Sequence, residues 1–111
     1  MSGRSVSEIT VVARAKAKPG REKDLERALR DAVAPTHEED GCLRYVLHRS
    51  VDDSSVIMVF ERWASRQALD KHLTTPHIRR LFGIIPDLVV VPPEIAVFEV
   101  LPEGKSDKGT F

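Results

Sequence analysis

The chain has 111 residues, with seventeen Lys and Arg balancing seventeen Asp and Glu and a single cysteine, Cys42. That length makes one domain with one core, small enough that oligomerisation would help it. Zero formal net charge argues against attraction to nucleic acid or an anionic membrane. No apolar run approaches the length that spans a bilayer, and one cysteine rules out an intramolecular disulfide and suits a reducing cytoplasm. The opening MSGRSVS has no hydrophobic h-region, so it reads as a disordered lead-in over residues 1–7 rather than a secretory signal.

From residue 8 the chain alternates. Ile9, Val11, Ala13, Ala15 and Ala17 fall on one side and Thr10, Arg14, Lys16 and Lys18 on the other, which predicts a strand with one covered face. Pro19-Gly20 breaks it. Leu25, Ala28, Leu29, Ala32 and Val33 then recur at helical spacing, with Glu26 four residues before Arg30, and this helix is expected to end near Pro35. The acidic stretch His37-Glu38-Glu39-Asp40 leads to a turn at Gly41.

A second strand is predicted from Cys42 to Arg49, with Leu43, Tyr45 and Leu47 on one face and Cys42, Arg44 and Val46 on the other. Val51 to Ser55 has the composition and length of a hairpin connection. Val56 to Trp63 reads as a third strand, apolar on both faces. Ser65 suits the N-cap of a helix carrying Ala68, Leu69, His72 and Leu73. Thr75-Pro76 restarts the chain as a short helix with Ile78, Leu81 and Phe82 inward. The run Leu88 to Val91 is ambiguous between strand and coil. After Pro92-Pro93 comes a last strand, Ile95 to Leu101, and residues 102–111 form a polar tail expected to be disordered.

Strand, helix, strand, strand, helix, strand is the βαββαβ order of a ferredoxin-like α+β fold, a four-stranded antiparallel sheet with both helices on one face. The second sheet face carries Met58, Phe60 and Val46, and a sheet left half bare with such residues needs a partner. Two copies packed face to face would bury it in a two-fold homodimer.

The chemistry concentrates between Glu61 and His77. Trp63 and Glu61 share strand parity with Ile57 and Val59, and His72 shares a helix stripe with Ala68 and Leu69. Trp63 and His72 are therefore expected to line one cavity. His72 titrates naturally near neutral pH and reads either as a base or hydrogen-bond donor to a substrate oxygen, or as a core histidine bonded to Glu61 or a carbonyl. Trp63 offers a flat apolar wall with a free N–H, or core filling. Glu61 either orients His72 or pairs with an arginine. Tyr45 either presents a hydroxyl to the pocket or packs. His48 has the opposite parity, toward the other sheet face. His77, roughly 140° from His72 on a regular helix, is placed at the pocket rim and not beside it as a metal ligand. His37 and its acidic neighbours read as solvated charges, and no metal site is expected.

K-P-G before the first helix, EEDGCLRYVLHRS and FERWASRQALDKHLTTPHI resemble the antibiotic biosynthesis monooxygenase family over about Ile9 to Leu101. The E-x-W…A-L-x-x-H-x-x-T-P-H string carries most of that likeness. The resemblance implies a dimeric α+β barrel and, in active members, oxidation of phenolic or quinol-like substrates by O2 without flavin or metal. Related small proteins also include an isomerase and haem-degrading enzymes, so the family constrains fold better than reaction. The haem degraders share the nine-residue Trp-to-His spacing, but their first-strand asparagine falls on Ala13.

The chain has no G-x-G-x-x-G, Walker loop, H-E-x-x-H or C-x-x-C. If it oxygenates anything, the electrons come from the substrate, with O2 as co-substrate and no resident cofactor. The first expectation is thus a cofactor-independent monooxygenase acting on a small aromatic phenol or quinol. The alternatives are a non-catalytic ligand-binding or stress-related dimer and a proton-shuttling isomerase.

Overall fold

A computed structural model describes residues 8–111, so the lead-in over 1–7 lies outside the described residues. Four strands, β1 (Ile9–Lys16), β2 (Cys42–Arg49), β3 (Val56–Trp63) and β4 (Glu94–Phe98), pair antiparallel in the order β2-β3-β1-β4. Among the described residues four α-helices, α1 (Glu22–Asp31), α2 (Val33–His37), α3 (Arg66–His72) and α4 (Pro76–Ile84), and a 3-10 turn at Ile85–Asp87 connect them. This is the ferredoxin-like α+β fold that the order of periodic segments predicts.

The helices cover the face built from Val11, Ala15, Ile57 and Val59. Buried side chains there form two clusters. One joins Leu25 and Leu29 of α1 to Ile78 and Leu81 of α4 over Ala15 and Ile57. The other holds Val11, Tyr45, Val59, Trp63 and Leu69. Burying a side chain of this size contributes roughly 1.5–3 kcal/mol, so both clusters are substantial.

Local chemistry explains most boundaries. Ser65 is extended (φ −163°, ψ 166°) and its Oγ accepts the Ala68 N–H at 3.1 Å, the cap that starts α3. Pro76 opens α4 after extended Thr75. In the β2–β3 connection Asp53 accepts from the Ser55 N–H and hydroxyl, closing the turn.

Four details differ from the sequence reading. The first helix does not run unbroken to Pro35; it ends at Asp31 and restarts as α2 after Ala32 (φ −85°, ψ −11°). Proline lacks an N–H and its ring crowds the carbonyl four residues back, so α1 cannot run on through it. In β2 the register jumps between Cys42, opposite Trp63, and Arg44, opposite Arg62. Leu43 is the extra residue of a bulge and is exposed, while Cys42 turns to the helix-covered face beside Trp63. Phe82 is 44% exposed because α4 points Ile78 and Leu81 inward instead, with Ile85 just beyond its end. The last strand spans Glu94–Phe98, shorter than Ile95–Leu101 and starting one residue earlier.

The second face stays open. Val46 and Phe98 are exposed and Met58 and Phe60 half-buried there. After β4 the chain turns back at residues 104–109, and the Phe111 ring rests 5.3 Å from Phe60 and 5.0 Å from the Arg62 guanidinium.

Candidate active site

The site forms where α3 ends against the N-terminal turn of β2. A Cβ at Gly41 would collide with the Ala68 Cβ, so only glycine lets this turn lie on α3. The Gly41 carbonyl accepts the Ala64 N–H at 2.9 Å, tying the turn to the end of β3. The contact brings Glu39 under α3. Its Oε2 lies 2.8 Å from His72 Nδ1 and 2.8 Å from His77 Nε2.

His72 is 3% exposed. Its ring sits 4.4 Å from the Trp63 indole and 5.6 Å from the Tyr45 ring, centroid to centroid. Burial pulls its pKa below the ordinary imidazole value, and the Glu39 carboxylate reverses only part of that. At neutral pH the ring is therefore biased to the neutral form. Glu39 orders the tautomer: with Nδ1–H donating to the carboxylate, Nε2 keeps its lone pair, and it has no partner among the described residues.

Glu61 and Trp63 share the helix-covered face two residues apart. The Trp63 Nε1–H donates to Glu61 Oε1 at 2.8 Å. Burial raises the Glu61 pKa to about 7, against the hydrogen bond from Trp63, with Glu39 adding to the rise. Tyr45 stands opposite Glu61 on β2, and burial raises its phenol well above the usual range. The Tyr45 hydroxyl has no hydrogen-bond partner among the described residues.

A cavity of ≈ 280 Å³ opens between the two core clusters. His72, Glu61 and Tyr45 reach it, Arg66 and Arg14 border it, and Val11, Ala13, Val59, Leu69, Leu73 and Phe82 supply much of its apolar wall. That size suits a one- or two-ring ligand. A wider groove of ≈ 800 Å³ follows the free edge of β2 past His37, but among the described residues the only buried ionisable group bordering it is Tyr45. The buried ionisable groups His72 and Glu61 border the smaller space.

The structure brings His72, Glu61 and Tyr45 to one cavity. Trp63, expected to line it, is 0% exposed and stacks behind His72, its N–H already given to Glu61. His72 is bonded to Glu39 and not to Glu61 or a backbone carbonyl. His77 lies behind the cavity wall, and the 140° separation from His72 does not apply. α3 stops at His72 and α4 starts at Pro76, so the two rings sit 6.2 Å apart. His48 is exposed and bonds the Val46 carbonyl. His37 is exposed and bonds the Tyr45 carbonyl at 3.0 Å.

Glu39 is the residue that sequence reasoning missed. Its signal is spacing: Leu25, Leu29, Ala32 and Thr36 are buried at steps of three and four, and Glu39 falls three beyond Thr36. The acidic run conceals one member that continues the buried stripe.

Fold and site define a ferredoxin-like α+β domain with a buried imidazole–carboxylate pair on a small apolar cavity. The sequence profile of the antibiotic biosynthesis monooxygenase family matches residues 8–83, and the chain belongs to that family. It is 37% identical over 101 residues to Rv0793 of Mycobacterium tuberculosis, covering 90% of this chain and 98% of that protein. The Rv0793 structure superposes with a TM-score of 0.84 at 33% identity, over 89% of this chain and 100% of that one. PA3566 from Pseudomonas aeruginosa follows at TM-score 0.82, 34% identity, 89% and 99% coverage. The crystal structure of an antibiotic biosynthesis monooxygenase matches at TM-score 0.80, 28% identity, 85% and 99% coverage. Among the described residues no helix is long and apolar enough to cross a membrane.

Proposed function

We propose that the protein is a cofactor-independent monooxygenase that oxidises a small phenol- or quinol-type aromatic with O2. The observation that carries this reading is the buried, neutral-biased His72, with Nδ1 engaged by Glu39 and Nε2 unpartnered on an apolar cavity. Nε2 takes the acidic proton of an electron-rich phenol or its tautomer. The resulting anion passes one electron to O2, and the radical pair recombines to a peroxide on the ring carbon. Loss of water then leaves a carbonyl, so one ring methylene and one O2 become one C=O and one water, and the substrate supplies every electron. Glu61, half-protonated near pH 7, is placed to return a proton as the O–O bond breaks. The enclosing side chains keep water from the anion and the radical pair.

Membership of the family supports the reaction class, as does the name of Rv0793, "putative monooxygenase". The apolar open face, with Val46, Met58, Phe60 and Phe98, supports a homodimer with helices outward. Oxygen uptake with a panel of quinols and anthrone-like phenols tests the reading. His72→Ala is expected to lower kcat by about 100-fold or more. Uptake unchanged in that folded variant removes His72 from the mechanism, and no uptake with any of the panel leaves the ligand-binding or isomerase alternatives.

A further inference from the structure

Three ligating side chains from three separate segments meet behind the cavity. Glu39 comes from the turn before β2, His72 from the last position of α3 and His77 from the first turn of α4. Glu39 Oε2 lies 2.8 Å from both His72 Nδ1 and His77 Nε2, and one ligand atom from each of the three residues lies within 4.8 Å of the others. Side-chain exposures of 15%, 4% and 16% keep most bulk water away. The Thr75 hydroxyl donates to the His72 carbonyl at 2.7 Å and lies 3.2 Å from His77 Nε2, a further oxygen at the edge of the group.

As a pure hydrogen-bond arrangement, one carboxylate oxygen must accept an N–H from each imidazole. Two imidazole nitrogens that converge on one carboxylate oxygen are also, by ligand type, the donor set of a borderline divalent ion. We propose that Glu39, His72 and His77 form a binding site for a divalent cation of the zinc and cobalt class. An ion bonded at about 2.1 Å in tetrahedral geometry needs ligand atoms roughly 3.4 Å apart. The carboxylate must therefore retreat by roughly half an ångström from each imidazole. Side-chain rotation of Glu39 supplies that, because the residue lies in a turn and not in a helix or strand.

Each ring can bind the ion as neutral imidazole by carrying its proton on the other nitrogen. For His72 that nitrogen is Nε2. The bound ion thus converts the unpartnered Nε2 from an acceptor to a donor, and it could no longer take a proton from a phenol. This inhibitory consequence rests on the proposed oxygenase reading; the site itself does not.

The test uses the full chain, stripped of metal by chelation and titrated with Co2+. Visible d–d bands of low-coordinate Co2+ should appear to one equivalent per chain and vanish on adding Zn2+. Glu39→Gln and His77→Ala should each weaken Co2+ binding by about 100-fold, while His48→Ala leaves it unchanged. Paramagnetic shifts of the His72 and His77 ring resonances in the unmutated protein locate the ion even if a variant fails to fold. Absence of one-to-one binding, binding that survives both substitutions, or shifts confined to His37 and His48 overturns the proposal. Co2+ binding in a protein that oxidises no phenol would uphold the site and sink only the oxygenase reading.

Discussion

Adjacent residues of β3 end up in opposite worlds. Glu61 points into the helix-covered face, 5% exposed, with the neutral Trp63 indole as its donor. Arg62, one residue on, points to the open face and pairs with Glu8. Strand pleating alternates side chains between faces, so a carboxylate and a guanidinium that are neighbours in sequence cannot neutralise each other. On the covered face, burial without a cation raises the Glu61 pKa to about 7 and lowers that of His72. On the open face, Arg14 and Glu94 approach at 3.6 Å while staying exposed, a pair of the type worth less than about 1 kcal/mol. The sheet thus keeps its tuned protonation chemistry on one side and leaves a surface suited to association on the other.

The largest way to disturb the covered face is Trp63→Ala, expected to cost about 3–5 kcal/mol in urea or thermal unfolding. A loss below about 1 kcal/mol would mean that the indole is not packed as described. Glu61→Gln gives a pH-dependent effect of similar size. The native carboxyl keeps its proton up to about 7, against 4.5 unperturbed, so native Glu61 binds more protons than unfolded Glu61 between these values. Its contribution is fully present below 4.5 and lost as pH rises through 7. Relative to the parent, Glu61→Gln should therefore gain up to roughly 3 kcal/mol from pH 4.5 to 8, and a flat difference would refute the buried carboxyl.

Gly41→Ala should cost about 1–3 kcal/mol, because the new methyl meets Ala68, and should disturb the Glu39–His72 contact. His72 has the reverse sign to Glu61. Its native pKa is depressed, so stability falls as pH drops below 6.5, and Glu39→Gln should lower that pKa further by removing the carboxylate. A histidine titration by NMR in which the pKa rises would contradict the assignment. The smallest effect on folding belongs to the open face. Phe60→Lys should change monomer stability by less than about 1 kcal/mol yet abolish, in sedimentation, the homodimer proposed above. A dimer that survives this substitution would require another interface.

Much of this was legible in one dimension. Period-two alternation in β1, Ser65 before α3 and Thr75-Pro76 before α4 each act through neighbours within a few residues, and each appears where the pattern predicts. The pairing of Trp63 with His72 was legible because strand parity and helix stripe point to one face. What escaped were contacts set by packing. The Leu43 bulge changes the facing of Cys42, a shift that residue types in β2 do not announce. The break between α3 and α4 was readable, but the rotation it imposes on His77 was not.

The sequence by itself determined most elements, their order, the covered face and the family, because propensity, capping and periodicity are local properties. Only the tertiary structure decided that Glu39, not Glu61, holds His72, that Trp63 lies behind the cavity, and that His77 joins the same carboxylate. Those outcomes depend on a helix and a turn approaching until a single absent Cβ at Gly41 sets their distance, and such a distance is a property of the packed whole.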